Sequence, residues 1–246
     1  MNKLQYLGVD GCAIGWISAE TFDLKNWKIS VFPTIQDLWK EYLKAELILI
    51  DIPIGLRDEG PKPRLCDSSA RDYLTRTRSS SIFPTPCRSV LTASTYQEAN
   101  KLNRERTGKG LSKQTWNITG KIKEVDYLLR KNADARGVFI ESHPELCFTA
   151  LSDGEPMQYY KKKEEGKKER ITLLKNYYNE AESLIYEEIK KYKRTEVELD
   201  DIFDAMILAL CASFGRKSLK YLPSNFEYDS EGLPMRMAIL EIKKEV

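Results

Sequence analysis

LILIDIP, at residues 47–53, is a run of large aliphatic residues that is interrupted only by Asp51 and closed by Pro53. A continuous apolar run of this length is typical of a β-strand that is buried on both faces, as in the centre of a sheet covered by helices. The stretch therefore predicts a central strand of an α/β sheet with a carboxylate at its carboxyl end.

Three further strands and a helix are predicted before this run. Residues 4–10 form a short apolar strand broken at Gly11, and residues 14–21 and 27–32 continue as two strands joined by a polar turn. Residues 35–46 follow Pro33 and place their apolar side chains on one helical face. The amino-terminal part therefore predicts a three-stranded meander followed by an amphipathic helix.

A helical insertion is predicted at about residues 57–133, between this part and the rest of the sheet. It begins with a loop-rich part at residues 57–88 that is rich in Pro, Ser and Arg, and helices follow. The elements predicted from there on are helices at about 69–76, 96–106 and 112–131, a strand at 137–141, a helix beginning at His143, a long amphipathic stretch at 159–193 and a buried helix at 200–214. We predict one domain over residues 1–246 that carries this insertion.

The composition limits the kinds of site. His143 is the single histidine and the five cysteines form no C-x-x-C pair, so multi-histidine metal sites, zinc ribbons and disulfide frameworks are not expected. The 39 basic and 37 acidic residues leave a net charge of +2, which neither demands nor excludes a polyanionic partner. No apolar run reaches the ~18–20 residues that span a bilayer, and the first residues lack the order of a signal peptide. We predict a cytoplasmic protein without a membrane partner.

Carboxylates recur where the predicted strands end. Asp10, Asp51 and Glu141 each follow or close an apolar strand, and ligands of α/β sheets gather beyond the carboxyl ends of the strands. The alternative is that each carboxylate only accepts hydrogen bonds from the backbone of the next turn. The recurrence at equivalent places favours a shared cleft.

The last predicted helix adds more carboxylates. Asp204 lies one turn into an apolar helix, where an unpaired carboxylate costs several kcal/mol. Asp201 or Asp200 shares its face, although either residue alone is also a common helix cap. Carboxylate ligands suit hard cations such as Mg²⁺ or Mn²⁺. The pattern therefore predicts a metal site for phosphate chemistry, with Asp10, Asp51, Glu141 and Asp204 as catalytic ligands and Asp201 in support.

Six segments, in this order, carry a resemblance to a known family. They are GVDGCAIGW at 8–16, IDIPIGL at 50–56, SIFPTPCR at 81–88, GLSKQTW at 110–116, ESHPEL at 141–146 and DDIFDA at 200–205. Together they resemble domain of unknown function 429, a family described as predicted nucleases of ribonuclease H fold. The segments are distributed between residues 8 and 205, so the resemblance extends over most of the chain.

The resemblance implies three antiparallel strands, a helix and then parallel strands alternating with helices. By similarity to Holliday-junction resolvases of this fold, Asp10 would bridge the metal ions, with Asp51, Asp201 and Asp204 at matching positions. Glu141 has no such simple counterpart. The implied activity is hydrolysis of a phosphodiester by water at a Mg²⁺ or Mn²⁺ site, with nucleic acid as the substrate.

Basic residues supply candidate substrate contacts. The insertion holds Arg57, Arg64, Arg71, Arg76, Arg78 and Arg88. An arginine fork suits phosphate, and Arg78 and Arg88 flank the segment 81–88. Lys113 and His143 complete the predicted substrate-binding set. The alternative is that the arginines only balance nearby aspartates. Likewise, Tyr159, Tyr160 and the following lysines are more typical of a solvated charged helix than of a nucleic-acid surface.

Two other functions stay open. The glycines do not have the spacing of a dinucleotide or P-loop motif, but phosphoryl transfer to a small molecule on an actin-like variant of the fold remains an alternative. A non-catalytic module that binds nucleic acid or a protein is another. The sequence leaves open whether DNA, RNA or a nucleotide is cut, at ends or interiors, and whether the chain is a monomer or a homodimer.

Overall fold

A five-stranded mixed sheet lies at the centre of the computed structural model, which describes residues 4–241. Its strands are β1 (Tyr6–Cys12), β2 (Gly15–Thr21), β3 (Trp27–Phe32), β4 (Leu47–Ile50) and β5 (Phe139–Glu141). They stand in the order β3-β2-β1-β4-β5, with β1 to β3 antiparallel and β4 and β5 parallel to β1. The predicted α/β class and the mixed sheet are confirmed, and the order is consistent with a ribonuclease H-like fold.

Helices cover both faces of the sheet. On one face lies α10 (Leu199–Ser213), which packs on β1 and β2. On the other face α1 (Ile35–Glu41) and α5 (Lys113–Lys131) bury Val9, Ile50 and their neighbours. This two-sided burial explains why the run at 47–53 is apolar at successive positions.

Gly8 allows the close approach of α10 to the sheet. A Cβ atom at Gly8 would overlap the backbone oxygen of Ala205 and the backbone nitrogen of Ala209. Because these are backbone atoms of a packed helix, they have little freedom to move away. Gly8 therefore sets the distance between β1 and α10, the two elements that carry Asp10 and Asp204.

The segment between β4 and β5 is mainly helical, as predicted. It contains α2 (Leu65–Tyr73), α3 (Thr75–Arg78), α4 (Tyr96–Thr107), α5 and α6 (Ala133–Val138). Thr95 and Ser112 cap α4 and α5 by accepting hydrogen bonds from the backbone of their first turns. The short helix α6 was not predicted, because its six residues give no clear periodicity.

Four helices follow β5, namely α7 (Pro144–Leu151), α8 (Glu164–Lys175), α9 (Ala181–Ile189) and α10. The amphipathic stretch predicted at 159–193 is thus two helices separated by a turn, and residues 159–163 precede them as a turn. None of the helices formed by residues 4–241 combines the length and the apolar character that crossing a bilayer requires.

A two-stranded hairpin, missed by the sequence analysis, follows α10. It consists of β6 (Leu219–Tyr228) and β7 (Pro234–Leu240), which pair antiparallel with an irregularity between Leu222 and Glu227. The hairpin packs against α2 and α7 through Met235, Met237 and Ile239. Most side chains of β6 are at least partly exposed, so its sequence lacks the apolar alternation that identifies a half-buried strand.

All five cysteines are buried and unpaired, as expected for a chain without a disulfide framework. They lie in β1, α2, the segment 81–88, α7 and α10, and are Cys12, Cys66, Cys87, Cys147 and Cys211.

Candidate active site

The carboxyl ends of β1, β4 and β5 bring three acidic residues to one edge of the sheet. Val9 pairs with Ile50, and Ile50 pairs with Glu141 in the parallel register. The backbone N–H of Asp51 donates to the Val9 carbonyl at 2.9 Å, so Asp10 and Asp51 leave their strands side by side. This is the edge at which the sequence predicted a shared cleft.

A cleft of about 240 Å³ opens at this edge. Asp10, Asp51 and Asp201 line it together with Lys161. Burial raises the pKa of Asp10 well above its usual range, and the negative charges of Asp51 and Asp204 raise it further. Desolvation and like charge both disfavour the ionised form. Carboxyl groups are therefore crowded at the cleft, and a cation there would favour their ionised forms.

Asp204 reaches the site from α10 and contacts Lys161. Its side chain is 1 % exposed, and its Oδ2 accepts a hydrogen bond from Lys161 Nζ at 2.6 Å. Lys161 Nζ also lies 3.1 Å from Asp200 Oδ2. Burial raises the pKa of Asp204 to about 6, although the ammonium of Lys161 opposes this shift. The compensating charge that the sequence analysis assigned to a metal ion is here supplied by a lysine.

Asp201 has a structural role as well as a place in the cleft. Its Oδ2 accepts from the Glu198 backbone N–H at 2.8 Å, which completes a reciprocal capping box at the start of α10. Burial raises the pKa of Asp201 to about 7. Asp200 does not line the cleft and instead pairs with Lys161. Of the two adjacent aspartates, Asp201 is the one that borders the cleft.

Both carboxylate oxygens of Glu141 accept hydrogen bonds from Arg64. Arg64, with 1 % of its surface exposed, donates from Nη2 to Glu141 Oε1 at 2.7 Å and from Nη1 to Oε2 at 2.8 Å. Oε2 also accepts from the Ile54 backbone at 2.7 Å. Burial raises the pKa of Glu141 to about 7, against the opposing charge of Arg64. Both oxygens are engaged, so the geometry gives Glu141 the role of an anchor rather than the predicted role of a free metal ligand.

A second compartment of about 370 Å³ adjoins the cleft and shares Asp51, His143 and Lys161 with it. Arg78 lines this compartment with its guanidinium packed on the ring of Tyr160 at 4.9 Å. Although Arg78 is 5 % exposed, its Nε and Nη2 have no hydrogen-bond partner within residues 4–241. Arg78 Nε lies 3.7 Å from Glu145 Oε2. Buried donors without partners are suited to binding an anion.

His143 caps α7 and faces both compartments. Its Nδ1 accepts a hydrogen bond from the Glu145 backbone N–H at 3.1 Å. A ring nitrogen that accepts carries no proton, so in the neutral ring Nε2 is the protonated nitrogen. His143 can therefore donate a hydrogen bond into the compartments while its ring is held by the helix.

Two predicted substrate contacts lie outside both compartments. Arg88 is held by ion pairs with Asp126, at 2.7 Å, and with Asp229, which corresponds to the counter-charge alternative. Lys113 is exposed and sits 3.8 Å above the ring of Tyr96. The residues that line the two compartments are Asp10, Asp51, Glu141, Asp201, Asp204, Arg78 and His143. Arg88 and Lys113 are not among them.

The residues at this site fit a divalent cation in their chemistry but not in their arrangement. Asp10, Asp51 and Asp204 supply hard oxygen donors, and the buried Oδ1 of Asp204 has no hydrogen-bond partner in the part of the chain that the structure describes. However, no group of three or more His, Cys, Asp or Glu side chains within residues 4–241 is arranged as a metal site. The donor chemistry fits Mg²⁺ or Mn²⁺, while Lys161 occupies the neighbourhood of Asp204.

Sequence reasoning missed Lys161 and the role of Arg64. Lys161 lies 43 residues before Asp204 in a turn, and it looked like one of several solvated lysines. Arg64 is one of six arginines between residues 57 and 88. Nothing in the local sequence distinguishes either residue, because the signal is a tertiary contact with an aspartate or glutamate from another element.

Comparisons with known proteins agree with the resemblance seen in the sequence. The family described as Protein of unknown function (DUF429) matches residues 8–227, a range that includes every residue of both compartments except Met237. No curated protein and no solved structure matches the chain.

Proposed function

The chain belongs to the DUF429 family, and from the geometry of its acidic cleft we propose that it is a metal-dependent nuclease. The reaction is hydrolysis of a phosphodiester by water, with nucleic acid as the substrate. The observation that carries this proposal is the convergence of Asp10, Asp51 and Asp204, from three separate elements, beside Arg78. The Nε and Nη2 of Arg78 are buried and have no hydrogen-bond partner among residues 4–241.

Asp10, Asp51 and Asp204 are the residues that would hold Mg²⁺ or Mn²⁺. A bound ion would supply Lewis-acid stabilisation of phosphate oxygens and would lower the pKa of water. Asp201 supports this set through the capping box, because it fixes the start of α10 and thereby the position of Asp204. Glu141 and Arg64 hold the chain after Asp51, since Arg64 Nη1 also donates to the carbonyl oxygens of Ile54 and Gly55.

Arg78 and His143 would act on the substrate. The free N–H groups of Arg78 can bind a non-bridging oxygen of the phosphate that reacts, and charge-assisted bonds of this kind are among the stronger hydrogen bonds of proteins. His143 Nε2 can donate to the oxygen that leaves, because its ring orientation is fixed by the hydrogen bond at Nδ1. Tyr160 covers Arg78 and restricts the access of water to it.

The test is a cleavage assay with single-stranded, duplex, hybrid and branched DNA and RNA in Mg²⁺ or Mn²⁺. We expect cleavage of at least one class by the wild type, loss to background in Asp10→Asn and Asp204→Asn, and retention in Asp72→Asn. Asp72 is a matched control because it is an exposed aspartate of the insertion that lines neither compartment. Equal cleavage by all four proteins would refute the assignment of the site.

The ion pair between Lys161 and Asp204 favours one alternative, a module of the same fold that binds nucleic acid without cutting it. In such a module Lys161 would be the permanent partner of Asp204. Binding that depends on salt but is indifferent to metal and to Asp10→Asn, with no cleavage of any substrate, would support this alternative.

A further inference from the structure

Two of the sequence segments that carry the family resemblance, 81–88 and 110–116, meet at a pocket outside the acidic cleft. The pocket has a volume of about 160 Å³. Its walls come from Pro84–Cys87 on one side and from Lys109–Ser112 with Thr115 on the other, and residues 57–64 complete it. The same two segments also contribute Ser81, Phe83 and Gln114 to the second compartment of the acidic site, so the pocket lies beside that site.

The walls of the pocket are fixed by buried hydrogen bonds. Asn103, which is 6 % exposed, accepts from the Cys87 backbone N–H at 3.0 Å and donates to the Lys109 carbonyl at 2.9 Å. Thr115 Oγ1 donates to the Pro84 carbonyl at 3.0 Å. One side chain of α4 and one of α5 therefore join the two segments. These hydrogen bonds preorganise the walls of the pocket.

The charge of the pocket is opposite to that of the acidic cleft. Its lining includes Arg57, Lys62, Arg64 and Lys109 and contains no carboxylate. Arg64 is neutralised by Glu141 and Asp67, but Lys62 and Lys109 form no ion pair with any carboxylate of the described residues 4–241. Arg57 Nη1 lies 3.6 Å from Glu227, while its buried Nε lacks a hydrogen-bond partner among those residues.

The pocket and the cleft are adjacent, because Arg64 and Thr85 line both. We infer that the pocket binds a phosphate of the substrate strand that neighbours the phosphate cleaved in the acidic site. This inference rests on the proposed function. Lys62 and Lys109, together with the Nε of Arg57, attract the phosphate. Pro84, Pro86 and Leu111 offer an apolar surface for its sugar or base. A pocket of about 160 Å³ holds a single phosphate with part of its nucleotide, so it suits a single strand rather than a duplex.

The experiment measures binding rather than cleavage. A fluorescent single-stranded DNA of about 12 nucleotides, and the RNA of the same sequence, are titrated with protein in EDTA at several salt concentrations, and anisotropy is recorded. The test variant is Lys62→Gln/Lys109→Gln, in which two exposed lysines are replaced. The control is Lys44→Gln/Lys168→Gln, which removes the same charge from exposed positions outside all three pockets.

We expect the test variant to bind the strand roughly tenfold or more weakly at low salt, and the slope of log affinity against log salt to fall by about one to two. The control should bind like the wild type. Equal binding by the test variant and the control would overturn the inference and leave the proposed nuclease function untouched.

Two further outcomes separate this inference from the proposed function. If the test variant loses binding but the wild type cleaves nothing, phosphate binding at the pocket is supported and the proposed nuclease activity is refuted. If inorganic phosphate or a mononucleotide displaces the strand from the wild type at equal concentration, the pocket holds a free phosphate compound, and its assignment to the substrate strand is overturned.

Discussion

Lys161 Nζ and Asp204 Oδ2 lie 2.6 Å apart at the edge of the acidic cleft. The lysine comes from a turn between α7 and α8, and the aspartate is buried in α10. The cleft thus contains its own cation, which any metal ion at Asp204 has to displace or tolerate.

Replacing Lys161 is expected to lower the stability of the metal-free protein and to raise its affinity for a metal ion. In Lys161→Met the buried Asp204 loses its partner, so the metal-free protein should lose about 1–3 kcal/mol of unfolding free energy at pH 7. The affinity for Mn²⁺, measured by calorimetry, should rise by about tenfold or more because a competing charge is removed. Lys162→Met is the control, since Lys162 pairs with the exposed Glu198. Weaker Mn²⁺ binding in Lys161→Met would show that the lysine assists the ion instead of competing with it.

Gly8 is expected to be irreplaceable by alanine. The added Cβ would overlap backbone atoms of Ala205 and Ala209, so Gly8→Ala should destabilise the fold by about 2–4 kcal/mol and move Asp204 away from Asp10. Denaturant unfolding and the cleavage assay measure the two effects. Gly120→Ala is the matched control, because a Cβ there meets no atom within 4 Å and should add up to about 1 kcal/mol of helix stability. Similar stability of the two variants would contradict the assigned contact.

The stability of the metal-free protein is expected to fall as the pH rises. The folded-state pKa of Asp201 is raised to about 7 by burial, so its folded form binds a proton more tightly than its unfolded form. Its contribution is fully present below pH ~4, the ordinary range of aspartate, and is lost as the pH passes 7. Asp201→Asn keeps a capping oxygen but does not titrate. It should match the wild type at pH 4.5 and exceed it by about 1–3 kcal/mol at pH 8 in EDTA, after discounting for partial exposure.

Thermal or urea unfolding at both pH values tests this expectation. Because Asp204 and Glu141 also have raised pKa values, the Asp201→Asn variant should still lose stability as the pH rises, but with a smaller slope than the wild type. A wild-type stability that rises between pH 4.5 and 8 would contradict the burial of these carboxylates.

Glu141 is expected to behave as a structural residue. In Glu141→Gln the buried Arg64 loses one of its two charged partners, so the unfolding free energy should fall by about 2–4 kcal/mol. Mn²⁺ affinity, measured at a temperature where the variant is folded, should change much less than in Asp10→Asn. An equal loss of Mn²⁺ affinity in the two variants would restore Glu141 to the ligand set.

Arg78 is expected to act on substrate binding. Arg78→Lys keeps the charge but loses the planar fork, and its KM should rise roughly tenfold with a smaller change in kcat, whereas the exposed Arg76→Lys should behave like the wild type. An unchanged KM would remove Arg78 from the substrate site.

Much of the sheet and many of the helices could be predicted because their patterns are local. The apolar runs at 4–10 and 47–50 predict buried strands, and α10 is apolar along nearly its whole length. The hairpin β6–β7 could not be predicted because its first strand is largely exposed, so its stability comes from contacts with α2 and α7.

The site was predictable to the extent that strand ends mark it. Asp10 and Asp51 follow apolar strands, and Asp204 is conspicuous as an acid in an apolar helix. What the sequence could not supply is the partner of each charge. Glu141 and Arg88 looked available for ligands, but Arg64 and the pair Asp126 and Asp229 occupy them. These partners are distant in the chain and are brought together by tertiary packing.

The five buried cysteines allow local opening of the structure to be measured by thiol labelling. A thiol-reactive label modifies a buried thiol when the surrounding structure opens, and the free energy of opening differs from region to region. Cys87 lies in the wall of the pocket between segments 81–88 and 110–116. Cys12 lies at the end of β1, and Cys211 is deep in α10. Labelling followed by mass spectrometry would therefore measure the opening of the pocket, of the cleft and of the core separately in the unaltered protein.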